Sequence, residues 1–238
     1  MGGNSAMCSS VECATHRLSI RSSFSTEQRG NGPTAPVIFS VLARGKANGT
    51  IDFMLTIISG TNRPESNTKK VTDIVVQIYR DLGVPLQLLD LQELPPDLFA
   101  PAAYAAKPPA FARFANAVLE ADGLVVVMPE YNGSMPGVLK VFIDHLKFPE
   151  SFESRPVCFV GLSAGIWGCL RGVEQLQQIF GYRNAYVFPK RVFLPGISNA
   201  FNAQGGLANS ENFQRLREQA EEFTQFVEKI RGIQLRPQ

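Results

Sequence analysis

Residues 123–144 read GLVVVMPEYNGSMPGVLKVFID and decide the fold class. The first part, Gly123–Met128, is an uninterrupted apolar run, which is typical of a strand covered on both faces, as in a parallel sheet. A loop rich in glycine, proline and asparagine follows over 129–137, and the pattern then predicts a helix from about Gly137 to Lys147. The stretch therefore predicts one strand–loop–helix unit of an α/β protein.

The same alternation continues in both directions from this unit. Further apolar runs predict strands, and amphipathic patterns, one of them beginning at the capping residue Ser66, predict helices. The predicted strands are Phe53–Ser59, Val84–Leu89, Gly123–Met128, Pro156–Leu162 and Asn184–Phe188, and the predicted helices cover about 66–82, 110–121, 137–147, 170–180 and 210–230, with a proline-rich loop over 95–109. Five strands alternating with helices predict a doubly wound parallel sheet in a single domain.

Composition excludes several classes of protein. Hydrophobic residues make up 45% of the 238 residues and charged residues 18%, which excludes wholesale disorder. A net charge of +2 does not indicate nucleic acid or an anionic membrane as a partner. Four cysteines and two histidines supply neither a disulfide scaffold nor a Cys/His metal cluster, and no apolar run reaches the roughly 18 residues of a membrane span. We expect a soluble protein of the cytoplasm that binds no metal.

Residues 1–53 differ in composition from the rest of the chain. They are rich in Ser, Gly, Asn and Thr, and they hold five basic and three acidic residues, so residues 54–238 carry 18 of each sign. We expect a mostly disordered extension in front of a domain at 54–238. Two alternatives stay open for the extension, an upstream start codon and a targeting segment for an organelle.

In an open α/β sheet, ligands lie beyond the carboxyl ends of the strands, where the strand order reverses. The loops there are predicted at 59–68 (SGTNRPESNT), 129–137 (PEYNGSMPG) and 163–168 (SAGIWG). The first leads into a helix N-terminus, which favours an anion, and Arg63 adds a positive charge suited to a phosphate. It is neither a Walker A sequence nor a G-x-G-x-x-G fingerprint. The candidates for an anion site are Ser59, Thr61, Arg63, Ser66, Asn67 and Thr68, and an ordinary capped turn is the alternative.

The other two loops suit a planar ligand. Gly133 permits backbone conformations that other residues resist, and Tyr131 either stacks on a ring or packs. Gly161–Gly165 (GLSAG) matches the nucleophile elbow of a hydrolase, but both histidines precede Ser163, whereas that chemistry needs one after it. The third loop is therefore interpreted as a floor of small residues that lets a flat ring approach the backbone, formed by Ser163, Ala164, Gly165 and Gly168.

The remaining nucleophile candidates are two cysteines. Cys169 begins a predicted helix, a position that can lower the pKa of a thiol, but a buried structural role is the favoured interpretation. Cys158 lies inside a predicted strand and is expected to be inert. Glu130 and Asp144 do not form a convincing general acid/base pair, so no side chain is predicted to carry out catalysis.

Taken together, the three loops resemble those of the NAD(P)H-dependent FMN reductase family. PEYNGSMPGVLKVFID, at residues 129–144, is close to that family's P-E-Y-N-x-S-x-P-G-x-L-K-N-x-x-D signature. The first loop fits G-S-x-R-x-x-S-x-N less closely, because Thr61 replaces a serine and Thr68 an asparagine. Val141 replaces another asparagine, and Trp167 departs from the small-residue pattern of the third loop. We expect these departures to affect substrate preference more than flavin binding.

The resemblance implies a flavodoxin-like three-layer sandwich, with a five-stranded parallel sheet of order 2-1-3-4-5 and helices on both faces. It implies FMN as the cofactor, with NADPH or NADH as hydride donor and a small acceptor such as a flavin, a quinone, an azo compound or chromate, in ping-pong turnover. It implies the following contacts: the phosphate on Thr61, Arg63, Ser66, Asn67 and Thr68; the isoalloxazine on Pro129, Glu130, Tyr131, Asn132 and Gly133; its other edge on Ser163, Ala164, Gly165 and Gly168.

The resemblance also implies a homodimer or homotetramer. Arg113 and Arg171 are candidates for binding the 2′-phosphate of NADPH. A flavodoxin-like electron carrier without catalysis is one alternative function, although carriers are typically strongly acidic and the charge of residues 54–238 is balanced. A flavin-binding redox sensor is the other.

Overall fold

A parallel β-sheet forms the centre of the described part of the chain, which in this computed structural model is residues 52–234. Its strands are β1 (Leu55–Ser59), β2 (Leu86–Asp90), β3 (Gly123–Pro129), β4 (Pro156–Leu162), β5 (Tyr186–Val187) and β6 (Val192–Leu194). The order β2-β1-β3-β4-β5, with every pairing parallel, confirms the predicted flavodoxin-like sheet. The predicted extension lies, apart from its last two residues, outside the described residues.

The fifth position of the sheet is divided between two short strands. β5 pairs with β4 at Pro156 and Val157, whereas β6 pairs with β4 at its other end, over Val160–Leu162. The predicted strand Asn184–Phe188 is therefore too long, and β6 is an element that the sequence pattern does not indicate. Pro189 lies between β5 and β6, where a residue without an N–H group cannot continue the ladder.

The helices lie where the periodicity predicts them, with ends that shift by a few residues. They are α1 (Asn67–Asp81), α2 (Ala112–Leu119), α3 (Gly137–His145), α4 (Leu170–Tyr182) and α5 (Ser210–Gln234). Short 3₁₀ turns lie in and beside the proline-rich passage, at Leu91–Glu93, Pro96–Phe99, Pro101–Tyr104 and Pro109–Phe111, and Ile197–Asn199 forms another after β6. Between residues 52 and 234, no helix has the length and hydropathy to cross a membrane.

Alternate residues of β3 pack into two hydrophobic clusters, one on each face of the sheet. Leu124, Val126 and Met128 pack in the cluster that includes residues of α2, α3 and α4. Val125 and Val127 pack in the cluster that includes residues of α1 and α5. Helices on both faces bury the whole strand, which explains its continuous apolar run and produces the predicted three layers.

The strand order places the three candidate loops at one edge of the sheet. β1 lies between β2 and β3, so the chain winds outward on one side of β1 and then on the other. Such a reversal opens a crevice at the carboxyl ends of the strands. The loops 59–68, 129–137 and 163–168 follow the carboxyl ends of β1, β3 and β4, and they therefore surround this crevice.

Candidate functional site

A cavity of about 480 Å³ opens at the carboxyl edge of the sheet. This volume lies within the range of about 300–1,000 Å³ that is usual for small-molecule sites. All three candidate loops and the segment after β6 contribute to its walls. The lining residues are Arg63, Pro64, Glu65, Ser66, Asn67, Thr68, Pro129, Glu130, Tyr131, Leu162, Ser163, Ala164, Ile197 and Ser198.

The first loop brings the N-terminus of α1 to the cavity. Ser66 is the N-cap, and its Oγ accepts a hydrogen bond of 3.1 Å from the N–H of Lys69. Asn67 and Thr68 begin the first turn, where N–H groups lack partners within the helix and form the positive end of the helix dipole. Arg63 is exposed on the same wall and forms no ion pair within residues 52–234. This wall therefore suits an anion such as a phosphate.

Thr61 holds the second loop through its hydroxyl group. Thr61 Oγ1 and Tyr131 Oη share a hydrogen bond of 2.8 Å, and Thr61 Oγ1 also accepts the Arg63 N–H at 3.3 Å. Thr61 is 1% exposed and does not line the cavity. Ser59 is buried as well, and its Oγ has no hydrogen-bond partner among the described residues. Phosphate contacts of Thr61 and Ser59 thus stay predictions.

A tight turn shapes the second loop. The Tyr131 N–H donates to the Ser134 carbonyl at 3.0 Å, and the Ser134 N–H donates to the Tyr131 carbonyl at 3.1 Å. Between them, Asn132 and Gly133 both have positive φ, 53° and 75°. Positive φ at both central residues is the type I′ geometry that an Asn-Gly pair favours. The turn fixes Tyr131 at the wall of the cavity, with Asn132 and Gly133 at its tip.

Only part of the backbone of the second loop is available to a ligand. The Glu130 N–H donates to the Leu162 carbonyl at 2.9 Å, and the Tyr131 N–H is used in the turn. In the described chain, the N–H groups of Asn132 and Gly133 make no hydrogen bond to protein. Neither residue is among those that line the cavity. Their contact with a ring stays a prediction, and they are the free donors of this loop.

The third loop is fastened to the segment that follows β6. The Ser163 N–H donates to the Leu194 carbonyl at 3.1 Å, and the Ile197 N–H donates to the Ser163 carbonyl at 3.0 Å. The Ser163 Oγ donates to the Gly165 carbonyl at 3.0 Å. Of the small residues predicted here, Ser163 and Ala164 line the cavity, whereas Gly165 does not.

Gly168 contacts β6 rather than the cavity. It has a φ of 57°, and a Cβ at this position would come within 2.9 Å of Phe193 Cβ and 3.0 Å of the Leu194 nitrogen. The absence of a side chain therefore lets the third loop pack closely on β6. A contact between Gly168 and a bound ring stays a prediction.

Ile197 and Ser198 are site residues that the sequence analysis misses. They follow β6, whose three residues are too few to show a period of two. The turn pair Pro195–Gly196 directly after an apolar triplet is the signal that could have revealed them.

Within residues 52–234, no histidine lies beside Ser163. His145 is buried against the Tyr104 ring, with ring centroids 4.6 Å apart, and its Nδ1 lies 2.9 Å from the Val141 carbonyl oxygen. The Ser163 hydroxyl is directed at the Gly165 carbonyl instead. This geometry gives His145 a packing role, and a serine-hydrolase function finds no support in it.

Both described cysteines are poor nucleophiles. Burial raises the pKa of the Cys169 thiol to about 12, and the nearby Glu130 carboxylate adds to the rise. The possibility of a lowered pKa at this helix start is therefore wrong, because desolvation outweighs the helix dipole. Burial also raises the pKa of Cys158, which agrees with its expected inertness.

The model of the NADPH-dependent FMN reductase family matches residues 54–199. The chain belongs to this family. The NAD(P)H-dependent FMN reductase PA1204 of Pseudomonas aeruginosa is 33% identical over 154 residues, which cover 63% of this chain and 82% of that protein. A quinone reductase of Escherichia coli K12 is 34% identical over 49% of this chain and 64% of its own length. The fold matches that of FerB, a flavoenzyme NAD(P)H:(acceptor) oxidoreductase of Paracoccus denitrificans, with a TM-score of 0.64 at 20% identity, over 74% of this chain and 98% of FerB.

As a member of this FMN reductase family, the chain is an NAD(P)H-dependent oxidoreductase with FMN as its cofactor, and the donor set of its cavity fits that group. At one wall, Arg63 and the N–H groups at the start of α1 match a phosphate monoester. Toward β3 and β4, the walls change to Tyr131, Leu162 and Ala164, which suit a planar, partly apolar ring. The cavity therefore offers a charged end and a flat end within one volume, as FMN requires.

Proposed function

We propose that this FMN reductase takes a hydride from NADPH or NADH in the crevice at the carboxyl ends of β1, β3 and β4, and passes the electrons to a small acceptor. One observation carries the proposal: a single cavity joins the anion site at the start of α1 to the turn at Tyr131–Ser134. Bound FMN supplies the redox chemistry, because its ring accepts a hydride and can release the electrons to a second molecule.

The first role of the protein is to hold the FMN phosphate. Arg63 and the first turn of α1, from Ser66 to Thr68, would bind it, since the Ser66 hydroxyl already caps the helix and leaves the leading N–H groups free. The phosphate then lies at the positive end of a 15-residue helix.

The second role is to orient the ring and stabilise charge on it. Tyr131, fixed by Thr61 and by its turn, forms one wall, and Ser163 and Ala164 form another. The free N–H groups of Asn132 and Gly133 are fixed dipoles that can face negative charge developing on the ring. Such preorganised donors stabilise charge without reorganisation.

We infer that the acceptor is a small planar molecule, in the class of flavins, quinones and azo compounds, with chromate as a further candidate. Two observations support this inference. The site is an open crevice rather than an enclosed chamber, and relatives are named for FMN and for quinone acceptors. The walls of the crevice carry one positive side chain, Arg63, and two negative ones, Glu65 and Glu130, and a net charge of −1 is too small to favour docking on a highly charged protein partner.

The decisive measurement is a visible absorption spectrum of the purified protein, recorded anaerobically before and after NADPH or NADH is added. We expect flavin bands that bleach with the coenzyme and recover when a quinone is added. Dithionite serves as the control, because it reduces any reducible flavin. A flavin that dithionite bleaches but neither coenzyme bleaches would favour the electron carrier or sensor. A protein that retains no FMN after reconstitution would contradict the proposal altogether.

We further propose a homo-oligomer located in the cytoplasm. Phe148 and Tyr182 are large apolar side chains that are 64% and 80% exposed, and an apolar groove of about 330 Å³ runs beside Tyr182 between α3 and α4. Exposed apolar surface of this kind suits contact with another subunit. Cys158 and Cys169 are free thiols, which suits a reducing compartment. Light scattering of Tyr182→Glu against the unmodified protein tests the assembly, and an unchanged mass would contradict this interface.

A further inference from the structure

A second cavity lies beside the first turn of α4, outside the crevice described above. Its volume is about 460 Å³, and it is lined by Trp167, Leu170, Arg171, Glu174, Gln175 and Gln178. Trp167 is the single tryptophan of the chain, and it is 64% exposed. Its neighbour Ile166 is 79% exposed. Exposed large apolar side chains that lie together beside a concave surface are typical of a binding site.

Arg171 gives this cavity a positive charge that is not paired with a carboxylate of the described residues. Arg113, the other candidate for a 2′-phosphate, is already bound to Glu93 at 2.8 Å and stacked over the Phe114 ring. Arg171, in contrast, forms no ion pair in the part of the chain that the structure describes, although Glu174 lies one helical turn away. Arg171 is also the second residue of α4, where a cation opposes the helix dipole. An anion bound at Arg171 would relieve this unfavourable position.

The second cavity is connected to the crevice by two short links. The third loop supplies Ala164 to the crevice and Trp167 to the second cavity, and three residues of chain span at most about 10 Å. Ser134, which closes the turn at Tyr131, donates a hydrogen bond of 2.5 Å from its Oγ to Gln175 Oε1. One elongated molecule can therefore occupy both sites.

We propose that the second cavity binds a planar aromatic ring that carries an anionic group, with the ring stacked on Trp167 and the anion paired with Arg171. Two molecules have this chemistry: the adenosine 2′-phosphate end of NADPH, and an aromatic acceptor bearing a sulfonate or carboxylate. Both assignments rest on the proposed function, whereas binding at the cavity can be tested without turnover.

Because Trp167 is the single tryptophan, its fluorescence reports directly on the cavity. The FMN-loaded protein is titrated with adenosine 2′-monophosphate and with adenosine. We expect adenosine 2′-monophosphate to bind about tenfold more tightly, as a charge-assisted pair implies. Arg171→Gln should abolish this difference. Arg80→Gln removes the same charge from an exposed site in the last turn of α1, at the opposite edge of the sheet, and should preserve it.

Steady-state kinetics distinguish the two sources. If the coenzyme occupies the cavity, Arg171→Gln lowers the ratio of kcat/KM for NADPH to that for NADH about tenfold. If an acceptor occupies it, the variant instead lowers the preference for 1,4-naphthoquinone-2-sulfonate over 1,4-naphthoquinone. Trp167→Ala should raise KM for the same ligand about tenfold, and Trp167→Phe should retain most of the affinity.

The proposal is overturned if Arg171→Gln retains wild-type FMN content, both substrate preferences and the binding of adenosine 2′-monophosphate, and Trp167→Ala retains wild-type FMN content and KM values. Failure of the proposed function gives a different result. A protein that NADPH and NADH do not reduce would still show, by its tryptophan fluorescence, whether the cavity selects an anionic ring.

Discussion

Replacing Thr61 with valine should weaken FMN binding by acting through Tyr131. The two hydroxyl groups are 2.8 Å apart, and Thr61 is 1% exposed, so valine fills the same space and removes this hydrogen bond, together with the longer one of 3.3 Å that Thr61 Oγ1 accepts from the Arg63 N–H. A neutral hydrogen bond contributes about 0.5–1.5 kcal/mol net. Tyr131 is half-buried, so its freed hydroxyl group can still bind water. We therefore expect a loss of about 1 kcal/mol, or about a fivefold increase in the Kd for FMN.

A double-mutant cycle tests whether this loss passes through Tyr131. Thr61→Val and Tyr131→Phe break the same bond, so the double variant should bind FMN about as tightly as Thr61→Val alone. Thr61→Ser keeps the hydroxyl and serves as the matched control. The assay is quenching of flavin fluorescence on titration with apoprotein, accompanied by urea unfolding to measure the free energy of unfolding. If Thr61→Val weakens binding as much in the Tyr131→Phe background as in the unmodified protein, the effect does not pass through Tyr131 and the reasoning is refuted.

Three further predictions concern the site and its support. Arg63→Ala should weaken FMN binding about tenfold by removing a charged partner of the phosphate, and an unchanged Kd would eliminate that assignment. Gly168→Ala should destabilise the protein by about 3 kcal/mol, because the added Cβ would clash with β6 and the backbone has a φ of 57°. Gly133→Ala should cost only about 1 kcal/mol, because the added Cβ would have no atom within 4 Å. Equal shifts of the two variants in thermal unfolding would contradict this difference. Deleting residues 1–51 should leave flavin content intact, whereas deletion through Phe53, which is 4% exposed, should cost about 2 kcal/mol of stability in urea unfolding.

The fold was predictable wherever long segments show a clear period. β3 and β4 are buried along their whole lengths, so an apolar run located both of them within one residue. β6 was not predictable, because three residues carry no periodicity and its pairing with β4 depends on where Pro189 redirects the chain. Local patterns therefore identified the layers, whereas the shape of the sheet edge depends on contacts between distant segments.

The candidate site was likewise predictable only where residues adjacent in sequence form it. Ser66, Asn67 and Thr68 are adjacent in sequence, and a helix cap followed by free N–H groups can be inferred from them alone. The position of Gly168 cannot be inferred in this way, since it depends on β6 passing within contact distance. For Cys169, position at a helix start suggested a low pKa, and burial, which no local pattern reveals, decided the opposite.

Adjacent residues form one wall of the crevice, whereas distant segments form the other. Flavin retention and acceptor choice can therefore vary independently in this protein. The phosphate wall is built by one contiguous segment, so substitutions there should change how much FMN is bound. The wall at the ring is assembled from segments that are distant in sequence, through the hydrogen bonds of Tyr131 with Thr61 and of Ser163 with Leu194. Trp167 belongs to the same loop as Ser163 and Ala164, and it lines the second cavity and not the crevice. Its substitution should therefore alter KM values while leaving flavin content unchanged, because no contact with the phosphate wall is lost.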